Sequence, residues 1–379
     1  MTATDASAVR SFTSPQHDGR NAAVLGAALG ITFTVCFATG LFSHLAQHPP
    51  GWFELPARPA GLYRVTQALH VTTGVASIPL LLAKLWTVYP HFVARPAARS
   101  VGHAIERLAL LPLVGGSLFL LMSGTANVAR WYPWTFNFPR AHFWAAWITI
   151  GGLVVHIGAK AGTSRDALRR APRDPSLVVS TAASRRGFLG GVAGAAALIV
   201  VATAGGTISL LSPVSALAQR RRGDGPQGLP VNKSAEGAGV TDLIAAASYR
   251  LRIEGAVPSA LVLGLADLQA LPQREAELPI ACVEGWSASA HWRGVPIRDL
   301  LDLAGAAPDA EVHVESIQPG GSYRTSEINR SQTSDRDTLL ALELNGEPLH
   351  PDHGFPARLI GPNRPGVLQT KWVERLVVL

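Results

Sequence analysis

The chain is short of charge. Asp, Glu, Lys and Arg make up 16 % of its 379 residues, where a soluble protein carries about 25 %. Hydrophobic residues reach 47 % and the mean hydropathy is +0.21, so a membrane portion is expected. Cysteine is scarcer still. Cys36 lies inside an apolar run and Cys282 far downstream, which leaves no useful disulfide. That alone would hint at a cytosolic domain, but the topology below outweighs it. There is no internal repeat, GxGxxG or P-loop. The net charge of +7 does not point to nucleic acid, because the arginines gather at the ends of apolar segments without an aromatic-basic groove.

Five apolar segments are present, 21–43, 62–89, 105–128, 143–161 and 188–211, each with the ~20 residues a helix needs to cross a bilayer. Positive charge sets their orientation. Arg10, Arg20, Lys84, Arg95, Arg99, Arg107, Lys160, Arg165, Arg169, Arg170, Arg173, Arg185 and Arg186 fall on one side; only Arg58, Arg64, Arg130 and Arg140 fall on the other. This predicts a multi-pass protein of the plasma membrane with a cytoplasmic N-terminus and an extracytoplasmic C-terminal domain. Trp52, Tyr63, Trp131, Tyr132 and Trp134 suit an interfacial belt on the outer side.

Ser184-Arg185-Arg186-Gly187-Phe188-Leu189 matches a twin-arginine export signal. Such a signal suits a domain folded around a cofactor before export. Ala216-Leu217-Ala218 is a small-x-small pattern like a signal-peptidase site. The expected domains are a cytoplasmic tail (1–20), a four-helix membrane module (21–163), a basic loop (164–187), a fifth crossing (188–212), a linker (213–228) and a soluble domain (229–379).

In that last domain, alternation predicts strands over 249–255, 311–316 and 373–379, with short helices at 265–270 and 297–303. Cys282 stands beside Gly285-Trp286 in a turn. By spacing alone it is either a small buried hydrophobe or a thiolate ligand for a soft metal.

The wording around it decides more. CVEGWS from Cys282, then W-x-G-V-P-I-x-D-L-L from Trp292, DTLLALELNGEPL from Asp337, HGFPAR from His353 and Gly366-x4-Lys371-Trp372 resemble the molybdopterin-binding domain of the sulfite oxidase superfamily, in the family's order. The resemblance implies an α+β molybdopterin-binding domain joined to an all-α membrane bundle of five helices, with Cys282 binding molybdenum. It also implies that His353, Arg358, Lys371 and Asn232 contact the cofactor, the Arg358 fork and Lys371 charge suiting its phosphate. Tyr323 stands where a polar residue near the substrate oxygen is common. His291, Arg293 and Arg324 are either an anion pocket or surface charges. Asn363-Arg364 departs from the family, where tyrosine-glycine is common.

The membrane segments carry His70, His142 and His156; a histidine in a bilayer is a functional candidate by default. His142 and His156 are fourteen residues apart, about 21 Å and about 40° off one helix face. This resembles the di-haem cytochrome b subunits of respiratory dehydrogenases and implies one or two haem b, the outer on His70 and His142, the inner on His156 with His17, His91 or His103. Lys84 departs from that pattern, standing where a second ligand would follow His70. Gly74 and Gly152 are expected to make room for a porphyrin, and His44 to contact a quinone.

The expected function is a membrane-anchored molybdopterin oxidoreductase, with oxygen-atom transfer to or from a small molecule and electron exchange with the quinone pool through the helices. The alternatives are the same enzyme on a haem-free anchor with a separate soluble electron partner, and a cofactor-less membrane-tethered binding or sensor domain. An intact Cys282 speaks against the latter.

Overall fold

The computed structural model describes residues 14, 16–92, 100–169, 185–221 and 223–379. Arg10, Arg95, Arg99, Arg170, Arg173 and Ser184, used in the topology and export readings, lie outside them. Two compact units form: Met1–Ala38 with Leu69–Ala202, and Thr39–Ala68 with Thr203–Leu379.

Five helices are long and apolar enough to cross a membrane: α1 Gly19–Gln47, α2 Leu62–Phe92, α3 Val101–Val128, α4 Phe138–Arg169 and α5 Arg185–Thr203. Ile31, Leu111, Val154 and Leu198 remain exposed on them, as suits helices whose outward faces meet lipid. Pro79 and Pro90 in α2 and Pro112 in α3 are tolerated inside, where hydroxyls such as Ser77 bond backbone carbonyls (Oγ to Thr73 O, 2.7 Å). Gly152 differs from its expected role. A Cβ there would lie 3.3 Å from Leu113 N and 3.4 Å from Ala109 O, so it lets α4 approach the α3 backbone rather than a porphyrin.

In the second unit, one sheet runs β2-β1-β10-β5-β6 and the other β3-β4-β7-β8, with β9 on β7. The strands are β1 Arg250–Gly255, β2 Leu261–Gly264, β3 Arg274–Cys282, β4 Trp286–Pro296, β5 Val312–Ser316, β6 Thr325–Ile328, β7 Leu339–Leu344, β8 Glu347–Pro348, β9 Arg358–Ile360 and β10 Val373–Val378. β1 alternates as expected, Leu251 and Ile253 inward and Arg250 and Arg252 outward. Helices at Leu265–Ala270 and Ile297–Leu303 also match expectation. The domain is therefore α+β.

Two features differ from the sequence reading. The fifth crossing ends at Thr203, not near residue 212: Ala204-Gly205-Gly206 tightens into a 3-10 turn, since glycine disfavours helix, and the Thr207 hydroxyl donates to Gly285 O. The segment between α1 and α2 also belongs to the α+β unit rather than to the membrane module. Ala57 N–H donates to Ser331 Oγ at 3.0 Å, Asn329 Nδ2 to Leu55 O at 2.9 Å and Asn363 N–H to Ala60 O at 3.1 Å. Arg58 pairs with Asp335 at 2.7 Å and with Asp337. Leu55, Tyr63 and Ala46 bury themselves with Ala281, next to Cys282.

Candidate functional site

Cys282 is the last residue of β3, and Trp286, its register partner, the first of β4. The hairpin turns through Gly285, whose φ of 78° favours glycine, and Gly285 N–H bonds Cys282 O at 3.1 Å. Cys282 is 2 % exposed, on a cavity lined also by Asn232, Trp286, His353, Arg358, Gly366 and Lys371. The chain thus brings Cys282 and the four residues expected to contact the cofactor to one place, from well-separated stretches.

Each is held by the fold. His353 closes a 3-10 turn, Pro351–His353, and its Nε2 meets Pro226 O at 2.8 Å; a carbonyl can only accept, so Nε2 carries the proton. Gly354 follows with φ 107°, and a Cβ there would lie 3.0 Å from Arg358 Cβ and 3.2 Å from Lys371 Cα. Only glycine lets both cations close around the turn. Arg358 lies over the Trp292 ring, 5.1 Å from its centroid; Nη1 donates to His353 O at 3.0 Å and Nη2 to Gln369 O at 3.1 Å. Lys371 Nζ donates to Lys233 O at 2.9 Å and Asp352 O at 2.7 Å, leaving a third donor.

The electrostatics are those of a site suited to an anion. Burial pulls Arg358 down to about 9 and Lys371 well below its usual range, with Arg358 adding to the effect. Among the described residues neither forms an ion pair. Buried charges without partners cost several kcal/mol each. Arg358 Nε and Trp286 Nε1 are also buried without acceptors. An anionic, acceptor-rich group fits this donor set, as a pterin phosphate would. Burial raises the Cys282 thiol to about 12, Glu284 adding to the rise and Arg220 opposing it. The thiol is therefore protonated at neutral pH, and binding a metal would require it to release that proton.

Tyr323 stands in a turn before β6, half-buried; burial, then the Cys282 charge, raises its phenol. It does not line the cavity. His291 and Arg324 are exposed, and Arg293 pairs with Glu343 at 2.6 Å, so these three form no anion pocket. Asn363 bonds to the segment between α1 and α2 instead of lining the cavity. Arg220 is a residue that composition hid: RRRGDG reads as linker, yet its side chain is 11 % exposed and ion-paired with Glu284.

In the helices, the His70 and His142 rings lie 6.4 Å apart, centre to centre, at 67°. His70 Nδ1 is 2.8 Å from Cys36 O and His142 Nδ1 is 3.1 Å from Ser123 Oγ, the anchoring that presents Nε2 to a metal. His156 is half-buried on α4. His17 packs on Trp86 at 5.5 Å, His91 is exposed, and the side chain of His103 lies outside the described residues. Gly74 faces Cys36 Sγ, and His44 lies 5.1 Å from His48.

The family model of the oxidoreductase molybdopterin binding domain matches residues 238–379. The chain is 36 % identical over 133 residues to "Putative protein-methionine-sulfoxide reductase subunit YedZ1" of Azospira oryzae, covering 35 % of this chain and 50 % of that one. It is 45 % identical over 97 residues to the nitrate reductase [NAD(P)H] of Hordeum vulgare, 23 % of this chain and 11 % of that one. It is 32 % identical over 158 residues to the mitochondrial sulfite oxidase of Mus musculus, 35 % and 29 %. The chain thus spans half or less of the length of these relatives. The C-terminal domain of this chain belongs to the oxidoreductase molybdopterin-binding family.

Proposed function

We propose that the chain is a membrane-anchored, extracytoplasmic oxidoreductase that transfers an oxygen atom to or from sulfur or nitrogen in a small molecule, exchanging electrons with the quinone pool through its helices. The observation that carries this is the single cavity holding Cys282, Asn232, His353, Arg358 and Lys371. The relatives' names, for methionine sulfoxide, nitrate and sulfite, all concern oxygen on sulfur or nitrogen.

When bound, the molybdenum centre supplies the two-electron redox chemistry. The residues do the rest. Cys282 thiolate anchors the metal. Arg358 Nε and the third Lys371 donor hold the anionic tail of the pterin. His353, its Nε2–H fixed on Pro226 O, offers Nδ1 to a pterin N–H. Asn232, also in the lining, would be a further contact. The Tyr323 phenol, outside the cavity lining but within electrostatic reach of Cys282, would donate to the substrate oxygen.

His70 and His142 would hold one haem b and His156 a second. Haem passes electrons singly, which would match a two-electron site to quinone. Five crossings put the segment between α1 and α2 and the C-terminal domain on the same side of a bilayer, consistent with their shared unit. Together with the arginine asymmetry and the Arg185-Arg186 signal, this supports an extracytoplasmic domain. A reduced-minus-oxidised visible spectrum of the detergent-purified chain, with molybdenum assayed on the same sample, tests the reading. Sharp b-type bands lost in His142→Ala support the relay. Molybdenum without haem bands reduces the helices to an anchor and calls for a separate electron carrier; neither cofactor leaves the binding or sensor reading.

A further inference from the structure

The stretch between α5 and β1 carries a residue whose surroundings are not those of a linker. The Thr207 hydroxyl ties its start to Gly285 O, and Arg221 Nη2 donates to Ser215 O at 2.7 Å. So held, Arg220 turns inward. Its Nη1 pairs with Glu284, whose Oε2 is 3.8 Å from Cys282 Sγ. Its guanidinium lies 5.9 Å from the Trp286 ring centroid.

Two donors are left over. Arg220 Nη2 and Trp286 Nε1 are both buried and both lack an acceptor. Trp286 is 4 % exposed and lines the Cys282 cavity. A buried donor without an acceptor is costly, more so on a charged group. Glu284 occupies one arm of the guanidinium and neutralises its charge, yet leaves the second arm unmet. A water could accept from both but would bring two O–H donors of its own into a cavity already crowded with N–H groups. An oxygen bearing negative charge satisfies both and brings none.

We propose that Arg220 and Trp286 form an oxyanion-binding position beside Cys282, with Glu284 holding the guanidinium in place. Its oxygen comes either from the anionic tail of the pterin or from an oxyanionic substrate or product. The assignment rests on the reading of this cavity as the molybdopterin site.

The test uses the full-length chain in detergent, as wild type, Arg220→Gln and Trp286→Phe. Two quantities are read: pterin and molybdenum per chain, and the affinity for inorganic sulfate by calorimetry. If the oxygen belongs to substrate, both variants keep pterin and bind sulfate at least about tenfold more weakly, the loss expected for a charge-assisted hydrogen bond. If it belongs to the cofactor, pterin content falls several-fold in Arg220→Gln and less in Trp286→Phe. Variants that match wild type in both readouts overturn the proposal, as does a wild type that binds no sulfate while Arg220→Gln retains full pterin. Trp286→Phe keeps the Arg220–Glu284 pair and so decides the matter if Arg220→Gln fails to fold. A wild type without molybdenum sinks the cofactor reading alone; its sulfate affinity still decides Arg220.

Discussion

Asn363 Oδ1 accepts the backbone N–H of Tyr63 at 2.8 Å, across 300 residues of sequence. Its Nδ2 donates to Pro56 O at 2.6 Å. Asn363 sits at φ 51°, a left-handed conformation that asparagine tolerates. Three residues on, Gly366 lines the Cys282 cavity, and Pro365 bridges to Ala281. The segment between the first two helices therefore supports the turn and strand that make one wall of that cavity.

Replacing Asn363 by Ala leaves the Tyr63 N–H and the Pro56 carbonyl without partners. At about 1–3 kcal/mol for each of the two unmet groups, a loss of about 2–6 kcal/mol is expected. The thermal midpoint of the domain, followed by tryptophan fluorescence, should fall by several degrees. An unchanged midpoint would mean that the loop contributes nothing to the wall.

Much of this domain is legible in sequence. The alternation of β1 places Leu251 and Ile253 inward, and the run from Ile297 gives its helix directly. The site residues were reached through the wording of their motifs. Nothing in spacing would have joined His353, Lys371 and Cys282. β3 and β4 show no such alternation, because both faces are largely buried near Cys282 and the period vanishes. The engagement of Arg58 with Asp335 leaves no local trace either, since the partners are 277 residues apart. Arg220 was hidden by composition, because a basic, glycine-containing stretch reads as solvated whatever one side chain does.

A second consequence concerns attachment. The bonds of Ala57, Arg58, Tyr63 and Arg64 to the domain do not depend on the stretch after α5. With a protease site inserted near Gly223 and cleaved, the domain should still sediment with the membranes at physiological salt. Adding Asn363→Ala and Arg58→Ala to the cleaved chain should release it. Release from the otherwise unaltered chain would show that the covalent connection alone holds the domain.

Acid should weaken the domain through His353. Burial holds its imidazole down to about 4, against about 6.5 in an unfolded chain. Between these values the unfolded state binds the extra proton, so stability is full above about pH 6.5 and falls as pH drops toward 4. The loss is on the order of 2–3 kcal/mol. Urea midpoints at pH 7 and pH 5 measure it, and His353→Gln should narrow the difference. An equal difference in that variant would assign the acid sensitivity to other groups.

The central claim is that Cys282 binds molybdenum in this cavity. X-ray absorption at the molybdenum edge, on wild type and Cys282→Ser, counts the sulfur atoms on the metal. The count should fall by one in the variant, while the thermal midpoint of the domain stays close to wild type. An unchanged sulfur count, or a wild-type protein without molybdenum, would contradict the account.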